Sequence, residues 1–128
     1  MTSLLVDTSV LVKWFHADGE SEVASARSLL DGAQRTDLQL LVIDLAYFEL
    51  GNVLLRRLRW SGTDVAAQLR DLYDICGAPI AFPTRWMPDA ASIGSEHGLT
   101  FYDAAWAAAA RQLGIALALS LSLSLSLS

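Results

Sequence analysis

Unbroken apolar runs recur along the chain, and between them apolar residues fall at helical spacing. Leu4-Leu5-Val6 predicts a buried strand of a parallel sheet close to the N-terminus. Val10, Leu11, Trp14 and Phe15 predict a first helix that stops before Ala17-Asp18-Gly19. Val23, Ala26, Leu29 and Leu30 form the apolar stripe of a second helix, which Gly32 to Asp37 ends. Leu40-Leu41-Val42-Ile43 is a second buried strand. Asp44 is placed to cap the next helix, which carries Tyr47, Phe48, Leu50, Val53, Leu54 and Leu58. Arg56, Arg57 and Arg59 lie in its last turns, where cations suit the helix dipole. Ser61-Gly62 breaks that helix, Thr63 is the expected N-cap of another, and Gly77 stops it after Cys76.

The remainder continues the alternation. Pro79 to Phe82 is a third short strand, and Pro88 suits the first turn of a helix that Gly98 ends. Thr100-Phe101-Tyr102-Asp103 has the form of a capping box before an alanine-rich helix, with Gly114 at its C-terminus. Ile115 to Leu119 is a fourth strand. Strands alternating with helices imply an α/β fold with a parallel sheet and helices on both faces. Residues 119–128 alternate Leu and Ser without exception. Such a low-complexity tail is not expected as native sequence, so the domain is read as residues 1–118.

At 128 residues and 53% hydrophobic content, with a mean hydropathy of +0.38, the chain suits one globular domain rather than a disordered segment. The formal net charge is −5 and Lys13 is the only lysine. A protein that merely coats nucleic acid would be basic, so any nucleic-acid work needs metal ions or a local basic face. The arginines of the 56–59 group and Arg111 are the candidates for that face. One cysteine, Cys76, excludes an internal disulfide and suits a reducing, cytoplasmic setting. No signal peptide or membrane span is expected.

Three acids stand apart by their surroundings. Asp7 ends the first strand, at the edge where open α/β sheets bind ligands. Glu49 sits in an apolar helix with no basic neighbour one turn away. Asp103 opens the alanine-rich helix beside Tyr102. Carboxylates converging at one sheet edge repel, and a hard divalent cation offsets that repulsion. Such a cation lowers the pKa of a coordinated water and steadies charge on a phosphate during transfer. Each acid also has a structural alternative: Asp7 and Asp103 as helix caps, Glu49 as a surface residue. Asp44, Asp64 and Asp89 are read as caps or first-turn charges. Cys76, Trp14 and Trp106 are read as core, and His16 and His97 as surface residues.

Val6-Asp7-Thr8-Ser9-Val10-Leu11-Val12-Lys13-Trp14-Phe15 resembles the opening motif of PIN-domain proteins, particularly the VapC-type toxins of bacterial toxin–antitoxin pairs. Phe48-Glu49-Leu50-Gly51-Asn52-Val53-Leu54 is similar to their second motif and Tyr102-Asp103-Ala104-Ala105 to their third. The resemblance covers residues 3–118. It implies a three-layer α/β/α fold and an Mg²⁺- or Mn²⁺-dependent endoribonuclease. It also implies metal ligation by Asp7, Glu49 and Asp103, with Ser9 supporting the site. It further implies a homodimer and a cognate antitoxin protein as partner. One departure stands out: the family's fourth acid falls in a stretch that here, around Ser120 to Ser122, holds only Leu and Ser. The C-terminal end is therefore expected to be incomplete or replaced, with a single weakly held cation. A catalytically inactive PIN domain that binds its antitoxin or RNA is the alternative reading. A receiver-like domain would want a lysine after a late strand, and a haloacid-dehalogenase-type phosphatase would want Asp-x-Asp after the first strand. Neither is present.

Overall fold

Leu5 and Val6 have no exposed surface, because the strand that carries them lies in the middle of the sheet. A computed structural model describes residues 2–15, 30–32, 34–35 and 37–119. Among these, β1 (Thr2–Val6) pairs in parallel with β2 (Leu38–Leu41) on one side and with β3 (Ala116–Ala118) on the other. Register runs Leu4 to Leu40 and Leu4 to Ala116. A single parallel bridge, Ile43 to Ile80, extends the β2 side. The predicted third strand is thus reduced to one bridge. Pro79 and Pro83 bracket it, and proline removes the ladder donor at each end.

Five helices flank this sheet among the described residues: α1 (Thr8–Phe15), α2 (Leu45–Asn52), α3 (Gly62–Cys76), α4 (Met87–His97) and α5 (Phe101–Leu113). Leu30 to Gly32 are also helical, and the rest of the predicted second helix lies outside the described residues, as do His16 and the tail from Ser120 on. The main core joins Leu5, Leu11 and Trp14 to Ile43, Leu50, Leu54, Leu72 and Trp106. A smaller one packs Ala90 and Ile93 of α4 on Ala104, Ala107 and Ala108 of α5.

Several local readings are refined. The N-cap of α3 is Ser61 rather than Thr63, and its hydroxyl accepts from the Asp64 N–H at 3.1 Å. Asp44 makes no capping bond to α2. Its Oδ2 accepts from the Phe82 N–H at 3.4 Å and so ties the chain near β2 to the Ile80 bridge. α2 runs into a π-helical turn, Val53–Arg57, closed by the Leu58 N–H donating to the Val53 carbonyl at 3.0 Å. Arg59 beyond it takes a positive φ of 62°, unusual for a side-chain-bearing residue. The Thr100 hydroxyl accepts from the Asp103 N–H at 3.1 Å, and Gly114 ends α5 in the left-handed conformation, both as predicted.

Candidate active site

β1 leads to β2 on one side, and the chain later returns to place β3 on the other, so the strand order reverses beside β1 and its carboxyl end is a topological switch point, where α/β sheets bind ligands. Asp7 is the first residue past that end. Its N–H still donates to the Ala118 carbonyl of β3 at 3.2 Å, which anchors the backbone, and its carbonyl accepts from the Val10 and Leu11 N–H groups of α1. The side chain is only 3% exposed. Its Oδ1 accepts from the Ser9 N–H at 2.9 Å and from the Ser9 hydroxyl. Burial pushes the Asp7 carboxyl up from 3.8 to about 6. The Ser9 bonds oppose that rise, and the nearby charge of Glu49 adds to it.

Glu49 reaches the same place from α2. The buried residues of that helix, Ala46 and Leu50, fix its core face, and Glu49 lies beside it, half-buried. Its Oε1 accepts from the Thr8 hydroxyl at 2.8 Å and from the Trp106 indole N–H at 2.9 Å. Three elements therefore converge on this carboxylate: α2 carries it, while α1 and α5 hold it. Among the described residues no hydrogen bond reaches Asp7 Oδ2 or Glu49 Oε2. Each carboxylate is clamped through one oxygen and keeps the other for something else.

Asp103 does not complete a trio. Among the described residues no three His, Cys, Asp or Glu side chains stand together so as to hold a metal ion. Of the three acids, Asp7 and Glu49 lie close enough to feel each other's charge. The side chain of α5 that meets Glu49 is Trp106, one turn beyond Asp103. Arg111 binds Asp89 of α4, with Nε to Oδ2 at 3.3 Å and Nη2 to Oδ1. That contact holds Asp89 below the usual carboxylate range.

Thr8 and Trp106 were not among the residues singled out for chemistry. Thr8 is adjacent to Asp7, and Trp106 follows Asp103 at the i+3 spacing that shares a helix face. Those two spacings are the signals that point to them.

The PIN domain sequence profile matches residues 4–121. The chain belongs to the PIN domain family. Solved structures agree on the fold. The VapC20 toxin of Mycobacterium tuberculosis, described as cleaving the sarcin–ricin loop, is 20% identical, with a TM-score of 0.69 over 88% of this chain and 84% of that one. PAE2754 of Pyrobaculum aerophilum is 26% identical, with a TM-score of 0.58 over 91% and 78%. FitAcB of Neisseria gonorrhoeae is 17% identical, with a TM-score of 0.62 over 91% and 86%. No curated protein matches the chain. This PIN domain thus has a parallel sheet flanked by helices, with two of its motif acids paired at the switch point. Among the described residues, no helix is long and apolar enough to cross a membrane.

Proposed function

We propose that this PIN domain is a toxin-type endoribonuclease of the VapC kind, cytoplasmic and dependent on Mg²⁺ or Mn²⁺, in which Asp7 and Glu49 hold one cation. The observation that carries the reading is the carboxylate pair, Asp7 buried and Glu49 half-buried, each clamped through one oxygen with no partner on the other among the described residues. The donor chemistry fits. Mg²⁺ commonly binds through one or two carboxylates and keeps several waters, and a nearly dry carboxylate beside a second one gains most from such a charge. A cation bound there supplies Lewis-acid stabilisation of a phosphoryl oxygen and an activated water. The protein's own residues do the positioning. Ser9 fixes the Asp7 carboxylate through two donors, and Thr8 and Trp106 fix Glu49 through two more, so neither must reorganise as substrate arrives. An RNA substrate, a cognate antitoxin protein and assembly as a homodimer complete the reading. The VapC20 toxin, described as cleaving the sarcin–ricin loop, supports the first by analogy.

Cleavage of single-stranded RNA with added Mn²⁺, and its loss with chelator, is the test. Asp7→Asn and Glu49→Gln should each lower the rate by two orders of magnitude or more, in the range mutation of ligands and their supports produces. Asp103→Asn, outside the pair, should weaken metal binding less than either. RNA binding without cleavage in any divalent metal would favour the inactive, antitoxin- or RNA-binding reading instead.

A further inference from the structure

Two hollows share one ridge, and one of them reaches Glu49 of the carboxylate pair. One, of about 290 Å³, is lined by Ile43, Phe82, Met87 and Phe101, with Asp44 at its side. The other, of about 420 Å³, is lined by Phe48, Glu49, Asn52, Val53 and Tyr102, with Leu45 at its side. Phe48 and Tyr102 line both. They are 75% and 62% exposed, and Phe101 and Met87 nearby are also open to solvent. Large apolar residues exposed one at a time need no explanation, but a contiguous group next to a reactive centre does.

The composition of the larger hollow distinguishes possible occupants. Charged residues are depleted from the cores of protein–protein interfaces. Here the hollow contains Glu49, one of the paired carboxylates, and the amide of Asn52 beside two aromatic rings. Aromatic walls with a few polar groups along one edge match a planar heterocycle. Charge points the same way. The chain carries −5 overall, and its site holds two carboxylates, so phosphate contacts alone bring RNA to this face poorly. Stacking of bases on aromatic rings needs no cation and tolerates any base.

We propose that the cleft between Phe48 and Tyr102 takes one unpaired base of the RNA strand, next to the phosphate at the carboxylate pair, with Asn52 facing the edge of that base. This rests on the nuclease reading above and names the substrate feature that seats the strand. Single-stranded RNA is thereby preferred over duplex, because a paired base cannot enter the cleft without leaving its stack.

The test is a cycle between protein and substrate. A short single-stranded RNA is prepared intact and as a series with one abasic nucleotide at each position in turn. Wild type, Phe48→Ala, Tyr102→Ala and Tyr102→Phe are compared for cleavage KM and kcat and for binding by fluorescence anisotropy. Both alanine variants should raise KM about tenfold on intact RNA, within the span measured for loss of one stacked base. Tyr102→Phe keeps the ring and should stay near wild type. On the RNA that is abasic at the seated position, wild type should lose as much, and the alanine variants should lose nothing more. Equal losses on intact and abasic RNA would overturn the proposal. So would alanine variants that turn a dimer into a monomer by light scattering, which would assign the patch to a second copy. Variants that cleave like wild type would overturn the proposal and leave the nuclease standing. A wild type that cleaves no RNA would remove both.

Discussion

A single carboxylate carries much of the tension in this molecule. Asp7 is nearly dry and faces Glu49, and its carboxyl is pushed up from 3.8 to about 6 by burial first and by that neighbour after. In the unfolded chain the group titrates near its ordinary value. The folded protein therefore holds the proton more tightly, and stability from this group is fully present below about pH 4 and is lost as pH rises through about 6. The difference corresponds to about 3 kcal/mol at pH 7. Asp7→Asn keeps an oxygen to accept from Ser9 and removes the charge. Without divalent metal, the variant should be more stable than wild type at pH 7, by about 1–3 kcal/mol, and nearly equal to it at pH 4. Denaturant unfolding at the two pH values checks this. Equal stability at pH 7 would show that Asp7 is better solvated than its 3% exposure suggests. Cys76 is the contrasting case, where burial pushes the thiol up to about 12, so it should react slowly with thiol reagents in the native protein.

At the scale of elements, what was legible in the sequence was whatever a short window determines. β1, β2, the glycine-ended helices and the Thr100 cap follow from apolar runs, spacing and turn chemistry, and all are in the structure. Asp7 and Glu49 stood out in the sequence, Asp7 because it ends the first strand and Glu49 because it sits in an apolar helix with no basic neighbour one turn away. The rest depends on ring and carboxyl orientation across elements distant in sequence. Trp106 has core spacing and is buried, yet its indole edge turns to Glu49, 57 residues away. Asp44 looks like a cap, but the path of the chain beyond Ile80 brings the Phe82 N–H to it. Asp103 completes the Thr100 cap as read, its N–H donating to the Thr100 hydroxyl. The close packing of α4 on α5 also tests the element scale. A Cβ at Gly94 would lie 3.4 Å from the Ala104 Cβ, in the small cluster that joins the two helices. Ala104→Leu has no room there and should destabilise by about 1–3 kcal/mol. Because α5 carries Trp106, it should also loosen Glu49 and lower activity beyond what the fraction unfolded explains. Thermal unfolding and kcat measured on the same preparation separate the two effects.

For the whole molecule, the proposed RNA binding has to work against a net charge of −5. Arg111 is taken by Asp89, and Arg35 pairs with Asp37 at 3.4 Å. Arg56 and Arg57 are exposed in the π-helical turn that continues the helix of Glu49, two turns on from that carboxylate. The π turn carries them along the same rod as Glu49, so in the proposed complex they are the cations offered to the strand's neighbouring phosphates. Each phosphate neutralised on a single strand contributes about −0.7 to the slope of log affinity against log salt. Two such contacts give a slope of about −1.4, far shallower than that of proteins that grip the backbone throughout. Arg57→Ala should bring it to about −0.7 and weaken binding alike on every sequence. Phe48→Ala should lower affinity and leave the slope unchanged, because stacking releases no counterions. Anisotropy titrations of single-stranded RNA across a range of salt, on wild type and both variants, separate the two contributions. A steep wild-type slope would mean that cations beyond this pair reach the RNA, and that the acidic surface is less of an obstacle than its net charge implies.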